Sequence, residues 1–372
     1  MNCGYRKKIL HIQILPKLSG VQRISLEILK NISNEEYDKY ILFGNDAVDN
    51  NLRLQCIEEF EKIGVKVLFA KNMYRAIGLK DISAFVEIYT LCKEEKFDIV
   101  HTHSTKSGII GRIAATLART PLVMHTIHGL AFHKYVKFPL WQFYWICEMI
   151  ASFFCNKIVS VNNYYSKYFK LFKSKFLTIY NGIDFNVLDL KEDRANNEIN
   201  KILFVGRLDV QKDPLILLRA AKEVLQEEPN TVFTLVGDGE KYKDCEDFIN
   251  KNYLEEKIFL TGWQHDVARY YKTHHIFVAS SIYEAMPLML IEAGYFKLPV
   301  VATNVEGVPE VIEDKVTGLL SPPKDPHSLA QNVLLLLRNE EQRKLLGENG
   351  YKRVTTLFSS ERMAEEYNKL YD

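Results

Sequence analysis

Ser281-Ile-Tyr-Glu-Ala-Met-Pro-Leu-Met-Leu-Ile-Glu-Ala-Gly-Tyr-Phe296 is the stretch on which the reading of this chain turns. It follows a short apolar run, His275-Ile-Phe-Val-Ala-Ser280, with the length and composition of a buried strand. The chain then turns through polar residues and enters a helix, for which Pro287 suits the first position because its missing N–H costs nothing there. Glu284 falls in the turn and Glu292 inside the helix, roughly one and a half turns or about 7 Å along the axis. Unpaired N–H groups at the helix start would face the same space and favour an anion. Such a frame fits a ligand with hydroxyls at two places and a negative centre between them, as in a nucleotide sugar. Spacing alone is weak evidence, since two glutamates eight residues apart are more often solvated helix-face charges.

The rest of the chain supplies context. Its 372 residues are 47% hydrophobic and 26% charged, the composition of a globular protein with room for two or three domains. Six scattered cysteines include no C-x-x-C pair, which argues against a disulfide framework or a zinc knuckle and for a reducing cytoplasm. The most apolar window, Phe138 to Phe154, is broken by Gln142 and Glu148 and falls short of a membrane span. Residues 1–185 hold 25 Lys and Arg against 16 Asp and Glu, a net +9, whereas the remainder holds 23 against 31, a net −8. That asymmetry suits a first half with a face for an anionic partner.

In chain order, apolar runs at 8–15, 40–43, 66–69, 98–101, 122–128 and 157–161 alternate with helical patterns at 21–31, 50–63, 82–96 and 108–117. The rhythm predicts a mostly parallel sheet flanked by helices. It lapses in the polar stretch from Asp189 to Asn200 and resumes with strands expected at 201–205, 232–236, 257–260, 276–279 and 300–303. The chain ends in a capped amphipathic helix from Ser359 to Tyr371. We therefore expect an α/β protein of two Rossmann-like domains facing a cleft: residues 1–185, a linker over 186–200, residues 201–355, and a C-terminal helix over 356–372 that returns to the first domain. In open parallel sheets ligands sit at the carboxyl ends of strands, so the residues just after strands carry the candidate chemistry.

After the first strand of the second half, Gly206 allows a tight turn, Arg207 can grip a phosphate with two N–H groups, and Lys212 adds a point charge. Val236-Gly-Asp-Gly-Glu240 lacks the third glycine of a dinucleotide fingerprint and reads as a turn. Gly307, in Val305-Glu-Gly-Val-Pro-Glu310, serves either a close backbone approach to a ligand or a plain strand-to-helix turn. In the first half, His101-Thr-His103 and His125-Thr-Ile-His128-Gly129 end strands. No carboxylate or cysteine completes a zinc set there, and His128 is the preferred functional histidine. Aromatics and lysines interleave from Phe132 to Phe176, a mixture suited to an anionic membrane interface or to nucleic-acid stacking, with a core helix bearing a solvated lysine face as the plain alternative.

Taken together, Gly206-Arg207 with Lys212, Glu284-x7-Glu292 inside E-A-M-P-L-x-L-I-E-A, Gly-Val-Pro-Glu at 307–310 and Asn181-Gly-Ile-Asp resemble family-4 glycosyltransferases, retaining enzymes of the two-domain GT-B fold. Ser19-Gly-Val-Gln-Arg23 and His101-Thr-His-Ser look like the bacterial capsule and O-antigen members. The resemblance implies that Glu284 holds donor-sugar hydroxyls and Glu292 the ribose, and that Arg207 and Lys212 neutralise the diphosphate. It also implies that Met286, Pro287 and Leu288 help to position the sugar, that Gly20 and Gly307 line the donor, and that His128 faces the reacting sugar. Two departures stand out: Ser19-Gly20 and Glu306-Gly307 occur where many members have paired glycines.

The implied reaction is metal-independent transfer, with retention, from a nucleotide-diphosphate sugar (a UDP-sugar) to a polyprenyl-diphosphate-linked glycan. It needs no cofactor. The basic first half would then rest peripherally on the anionic inner face of the plasma membrane. A sugar-nucleotide epimerase or a non-catalytic binding protein on the same fold are the alternatives. The acidic second half and the lack of a known nucleic-acid module argue against nucleic acid.

Overall fold

The structure is a computed structural model, and it describes residues 5–188 and 199–372. Most of the expected linker, residues 189–198, lies outside the described residues. The chain divides into two compact units, Met1–Ile183 with Ser360–Asp372, and Asp184–Ser359.

In the first unit strands and helices alternate: β1 (Lys7–Ile12), α1 (Gly20–Lys30), β2 (Tyr37–Phe43), α2 (Asn50–Lys62), β3 (Lys66–Phe69), α3 (Lys80–Glu95), β4 (Ile99–His103), α4 (Thr105–Leu117), β5 (Leu122–Ile127), α5 (Leu140–Ser152), β6 (Lys157–Ser160) and β7 (Phe176–Thr178). The sheet is parallel throughout, in the order β3-β2-β1-β4-β5-β6-β7. The edge strand β7 escaped the sequence reading because its first residue, Phe176, closes the interleaved aromatic and lysine segment and so hides the start of the strand. In the second unit come β8 (Asn200–Val205), α6 (Pro214–Glu227), β9 (Thr231–Val236), α7 (Tyr242–Lys251), β10 (Ile258–Leu260), α8 (Ala268–Thr273), β11 (Ile276–Ala279), α9 (Leu288–Tyr295), β12 (Val300–Thr303), α10 (Val308–Val311), β13 (Gly318–Ser321), α11 (Pro326–Arg338) and α12 (Glu340–Leu357). Its parallel sheet runs β10-β9-β8-β11-β12-β13. Strand order reverses between β1 and β4 in one sheet and between β8 and β11 in the other, and ligands bind at such points in open α/β sheets.

The final helix, α13 (Ser360–Tyr371), packs in the first unit. Met363, Tyr367 and Tyr371 recur every four residues on one buried stripe. Arg362 donates to the Tyr180 carbonyl at 2.8 Å, and Lys7 Nζ donates to the Tyr371 carbonyl at 3.1 Å.

Glu148, which reads in sequence as an interruption of an apolar window, is buried. Its Oε1 lies 2.8 Å from the fully buried Arg112 guanidinium of α4. Helix α5 buries only Glu148, Met149, Ala151 and Ser152, so it is neither a core helix nor a spanning one, and its other side leaves Leu140, Phe143, Ile146 and Ile150 exposed. On the same face of the sheet, α4 sits close to the strands. A Cβ on Gly108 would fall 2.3 Å from His125 Cε1, and one on Gly111 would fall 2.8 Å from Thr102 Cγ2.

The Gly108→Ala substitution is therefore expected to lower stability by about 1–3 kcal/mol, because overpacking outweighs the gain in helix propensity of up to about 1 kcal/mol. A melting temperature equal to or above that of the parent would contradict this packing.

Candidate active site

In the second unit the reversal point gathers the residues singled out in sequence. The chain leaves β8 through Gly206 and Arg207 and returns toward α6 at Lys212, while the chain leaving β11 passes Ser280 and Ser281 on its way to Glu284. The two segments are tied together: Ile282 N donates to the Gln211 carbonyl (2.8 Å), the Gln211 amide donates to the Tyr283 carbonyl (3.1 Å), and the Ser280 hydroxyl donates to the Lys212 carbonyl (2.8 Å). As a result Lys212 Nζ and Glu284 Oε1 meet in an ion pair whose side chains are only 12% and 8% exposed. Ser281 Oγ also donates to Glu284 Oε1, at 3.1 Å.

Both partners keep capacity in reserve. An ammonium has three N–H donors, and Lys212 directs one at Glu284 and a weaker one at Met289 Sδ, 3.6 Å away. Glu284 Oε2 has no protein partner among the described residues. Arg207 stands differently: its side chain is 71% exposed, and its guanidinium lies 3.0 Å from Asp209 and 3.3 Å from Gln211 Oε1. Asp209 also accepts from Lys212 N (3.0 Å), so one carboxylate shapes the loop and parks the arginine. Neither Asp209 nor Gln211 stood out in sequence, because each is an ordinary loop residue until β11 is brought alongside.

Pro287 lies one position earlier than the sequence suggests, as the extended residue (φ −79°, ψ 104°) that precedes α9. Met286 is buried and Leu288 opens the helix. Glu292 Oε2 accepts from the Tyr271 hydroxyl at 2.8 Å. That phenol is buried, stacked between Phe277 and Phe296, and its pKa is raised well above the usual value by burial and then by Glu292. No sequence signal in Ala268–Thr273 pointed to it. Gly307 N donates to the Glu284 carbonyl at 3.0 Å, so the turn before α10 braces the acidic residue. Beside it Glu306 has φ +40°, a left-handed conformation that favours glycine. Gly237 (φ +142°) and Gly239 pack against the Gly206–Leu208 backbone: a Cβ on Gly237 would lie 1.9 Å from the Gly206 carbonyl oxygen. The Gly-x-Gly turn is thus a structural brace for the Gly206 loop.

In the first unit Gly20 is the exposed first residue of α1. His128 follows β5 and lies 2.9 Å from His103 Nδ1 through its Nε2. Strand alternation puts His11, His101 and His103 together on one face, where their ligand-type atoms all lie within 4.8 Å of one another. Each of their ring nitrogens already has a hydrogen-bond partner. His11 was not singled out in sequence, since only the β1–β4 register pairs it with His101.

Residues 19–187 match the family model described as Glycosyltransferase Family 4, and residues 189–353 match the one described as Glycosyl transferases group 1. The chain is 31% identical, over 98% of its length and 96% of the relative's, to the UDP-Gal:alpha-D-GlcNAc-diphosphoundecaprenol alpha-1,3-galactosyltransferase of Escherichia coli. The chain belongs to the family-4 glycosyltransferases. This glycosyltransferase is also 24% identical to a capsular polysaccharide biosynthesis glycosyltransferase of Staphylococcus aureus, over 98% of its own length and 97% of the relative's. The Anabaena protein HepE, solved with UDP and glucose, superposes with a TM-score of 0.82 at 17% identity, covering 98% of this chain and 99% of that one. The fold is therefore GT-B.

The buried histidines give the glycosyltransferase an acid-sensitive first unit. Burial, helped by neighbouring histidines or Arg112, holds His11, His101, His103 and His125 well below the usual imidazole range, and burial lowers His128 to about 3. In the unfolded chain these groups titrate near 6.5, so below that pH the unfolded state binds protons that the native state refuses. Their contribution is present above about pH 6.5 and is lost as pH falls below it. Urea unfolding is expected to show a clearly lower midpoint at pH 5 than at pH 7. An unchanged midpoint would mean that these imidazoles are not buried neutral.

Proposed function

We propose that this glycosyltransferase moves a hexose from a UDP-sugar to a glycan carried on a polyprenyl diphosphate, with retention at the anomeric carbon and without a metal ion. The observation that carries this reading is the Lys212–Glu284 pair, which leaves one N–H and one carboxylate oxygen open at the strand-order reversal. The relative in Escherichia coli makes UDP-galactose the first donor to try and a GlcNAc-diphosphoundecaprenol the first acceptor.

In the proposed step the bond from the sugar's anomeric carbon to the diphosphate oxygen breaks, and a bond to the acceptor hydroxyl forms on the same face. The hydroxyl proton passes to the departing diphosphate. Lys212, with Arg207 swung from Asp209, meets the charge that grows on the diphosphate, joined by the N–H groups opening α9. Glu284 Oε2 accepts from a sugar hydroxyl and Glu292 from the ribose, so the two carboxylates grip opposite ends of one ligand. His128 contacts the reacting sugar. Gly20, Gly206, Met286, Pro287, Leu288 and Gly307 shape the donor's surroundings. Because cationic side chains and backbone dipoles supply the positive charge, no divalent ion is required.

Incubation of UDP-galactose with the lipid-linked acceptor is expected to give an α-linked product at a rate that EDTA does not change. Lys212→Met and Arg207→Ala should each lower kcat by 10²-fold or more, in line with the loss of one strong stabiliser of developing charge. Full turnover in both variants would remove their role at the leaving group.

An acceptor of this kind lies in a membrane, and we propose that the first unit docks on the anionic inner face of the plasma membrane. No helix among the described residues is long and apolar enough to cross one. Support comes from the exposed Phe138, Leu140, Phe143, Ile146, Ile150 and Phe153 of the α5 region. Lys134, Lys137, Lys170 and Lys173 are exposed around the same segment, and Phe153 joins its two parts by packing edge-on against Phe172 at 4.9 Å. Apolar side chains ringed by lysines match an anionic lipid surface. Flotation with vesicles containing anionic lipid should carry the protein at low salt and release it at high salt, while Phe143→Ser/Ile146→Ser should weaken the association. Absence of binding at low salt would refute the docking.

A further inference from the structure

His128 is the outer end of a continuous buried chain of hydrogen bonds that runs through the first unit to its last helix. His128 Nε2 meets His103 Nδ1 at 2.9 Å, and His103 Nε2 meets His11 Nδ1 at 3.1 Å. His11 Nε2 then meets the Tyr371 hydroxyl at 3.2 Å, which meets His101 Nδ1 at 2.7 Å. His101 Nε2 meets the Thr126 hydroxyl at 2.7 Å, and Thr126 meets the Tyr367 hydroxyl at 3.0 Å. The sheet makes this possible: His11 pairs with His101 and His103 with Thr126 across neighbouring strands, all on the face covered by α13. Ser25 braces the middle, 3.1 Å from both His11 Nδ1 and His103 Nε2, and takes the Gln13 amide.

A neutral imidazole has one N–H and one bare nitrogen, so each link decides the direction of the next. Two patterns satisfy the whole chain. In one, protons point inward from His128, Thr126 donates to Tyr367, and the buried Tyr367 hydroxyl keeps a proton with no acceptor among the described residues. In the other, Tyr367 donates to Thr126, Thr126 to His101, His101 to Tyr371, Tyr371 to His11, His11 to His103, and His103 to His128 Nε2. Every buried donor then has an acceptor, which is the arrangement that burial demands.

We infer that this relay, closed at α13 by a buried Tyr367 hydroxyl with no further acceptor among the described residues, holds His128 in the tautomer that carries its proton on Nδ1, the nitrogen with no protein partner among the described residues. His128 thereby presents an uncharged N–H donor outward. His103 and His11 are positioning residues for it, and Tyr371, His101, Thr126 and Tyr367 carry the same direction to the last helix, some 240 residues along the chain from His128. The part this plays in catalysis rests on the proposal above that His128 contacts the reacting sugar, where such a donor would suit a sugar oxygen.

Two-bond ¹H–¹⁵N correlation spectra of the full chain labelled in histidine read the tautomer of each imidazole directly, with His128 assigned by its loss in His128→Ala. The parent should show His128, His103, His11 and His101 all as the Nδ1–H form, whereas the inward pattern would make all four Nε2–H. Tyr371→Phe removes the hydroxyl that couples His11 to His101 and should turn His101 into a mixture of tautomers, while His11, His103 and His128 stay Nδ1–H because His11 Nε2 would otherwise hold a buried proton without an acceptor. Tyr37→Phe, whose ring packs on Tyr371 at 6.4 Å outside the relay, should change none of the four. An Nε2–H form of His128 in the parent, or an unaltered His101 in Tyr371→Phe, overturns the inference. If Tyr371→Phe does not fold, the four parent tautomers decide alone. His128→Ala separates the two proposals: full turnover there, with all four imidazoles Nδ1–H in the parent, sustains the relay and sinks the role of His128 in sugar transfer.

Discussion

Lys212 and Glu284 are nearly out of water and meet where the strand order of their sheet reverses. Opposite charges in that position depend on each other, since removing one partner of a buried pair leaves an uncompensated charge at a cost of about 3–5 kcal/mol. Much of the local backbone serves to hold them. Gln211 and Ser280 lace the β8 and β11 loops together, the Gly307 amide braces the Glu284 carbonyl, and Gly237 and Gly239 allow a third loop to back the Gly206 turn. The open valences left on the pair, rather than the pair itself, are what a diphosphate and a sugar hydroxyl can use.

The two units hold their functional side chains by different means. The second relies on ionised groups, the nearly dry Lys212–Glu284 pair together with the exposed Arg207. The first relies on neutral imidazoles in a dry interior, where burial suppresses protonation and hydrogen bonds carry order over a long path. Gly108 and Gly111 bring α4 close to one face of that sheet while α13 covers the other. The histidine-rich strands are therefore enclosed on both sides, as parallel strands generally are.

Strands such as Asn200–Val205 and Ile276–Ala279 were readable because a doubly covered parallel sheet demands continuous apolar runs. Glu284, Glu292, Arg207 and Lys212 could be selected because they follow strands and because their motif resembles that of a known family. The partners could not. Tyr271 reaches Glu292, Arg112 reaches Glu148 and Tyr371 reaches His11 only through tertiary packing, and none of these pairs leaves a periodic trace in sequence. Glu148 misled for the same reason, since a charge in an apolar window looks like an interruption until its arginine is seen. The strand at Phe176–Thr178 is masked because it closes a lysine-rich aromatic segment, and that at Gly318–Ser321 because its glycine and serine ends leave no continuous apolar run.

The division of labour between Lys212 and Glu284 can be read from donor binding alone, with calorimetric titration of UDP and of UDP-galactose into the parent, Lys212→Met and Glu284→Gln chains. A lysine that meets the diphosphate and a glutamate that meets the sugar predict distinct outcomes. Lys212→Met should weaken both ligands about equally, whereas Glu284→Gln should weaken UDP-galactose at least tenfold and leave UDP within about threefold, since a tenfold change is about 1.4 kcal/mol, in the range of one hydrogen bond to a charged group. Equal weakening of both ligands by Glu284→Gln, or none by Lys212→Met, would contradict the assignment.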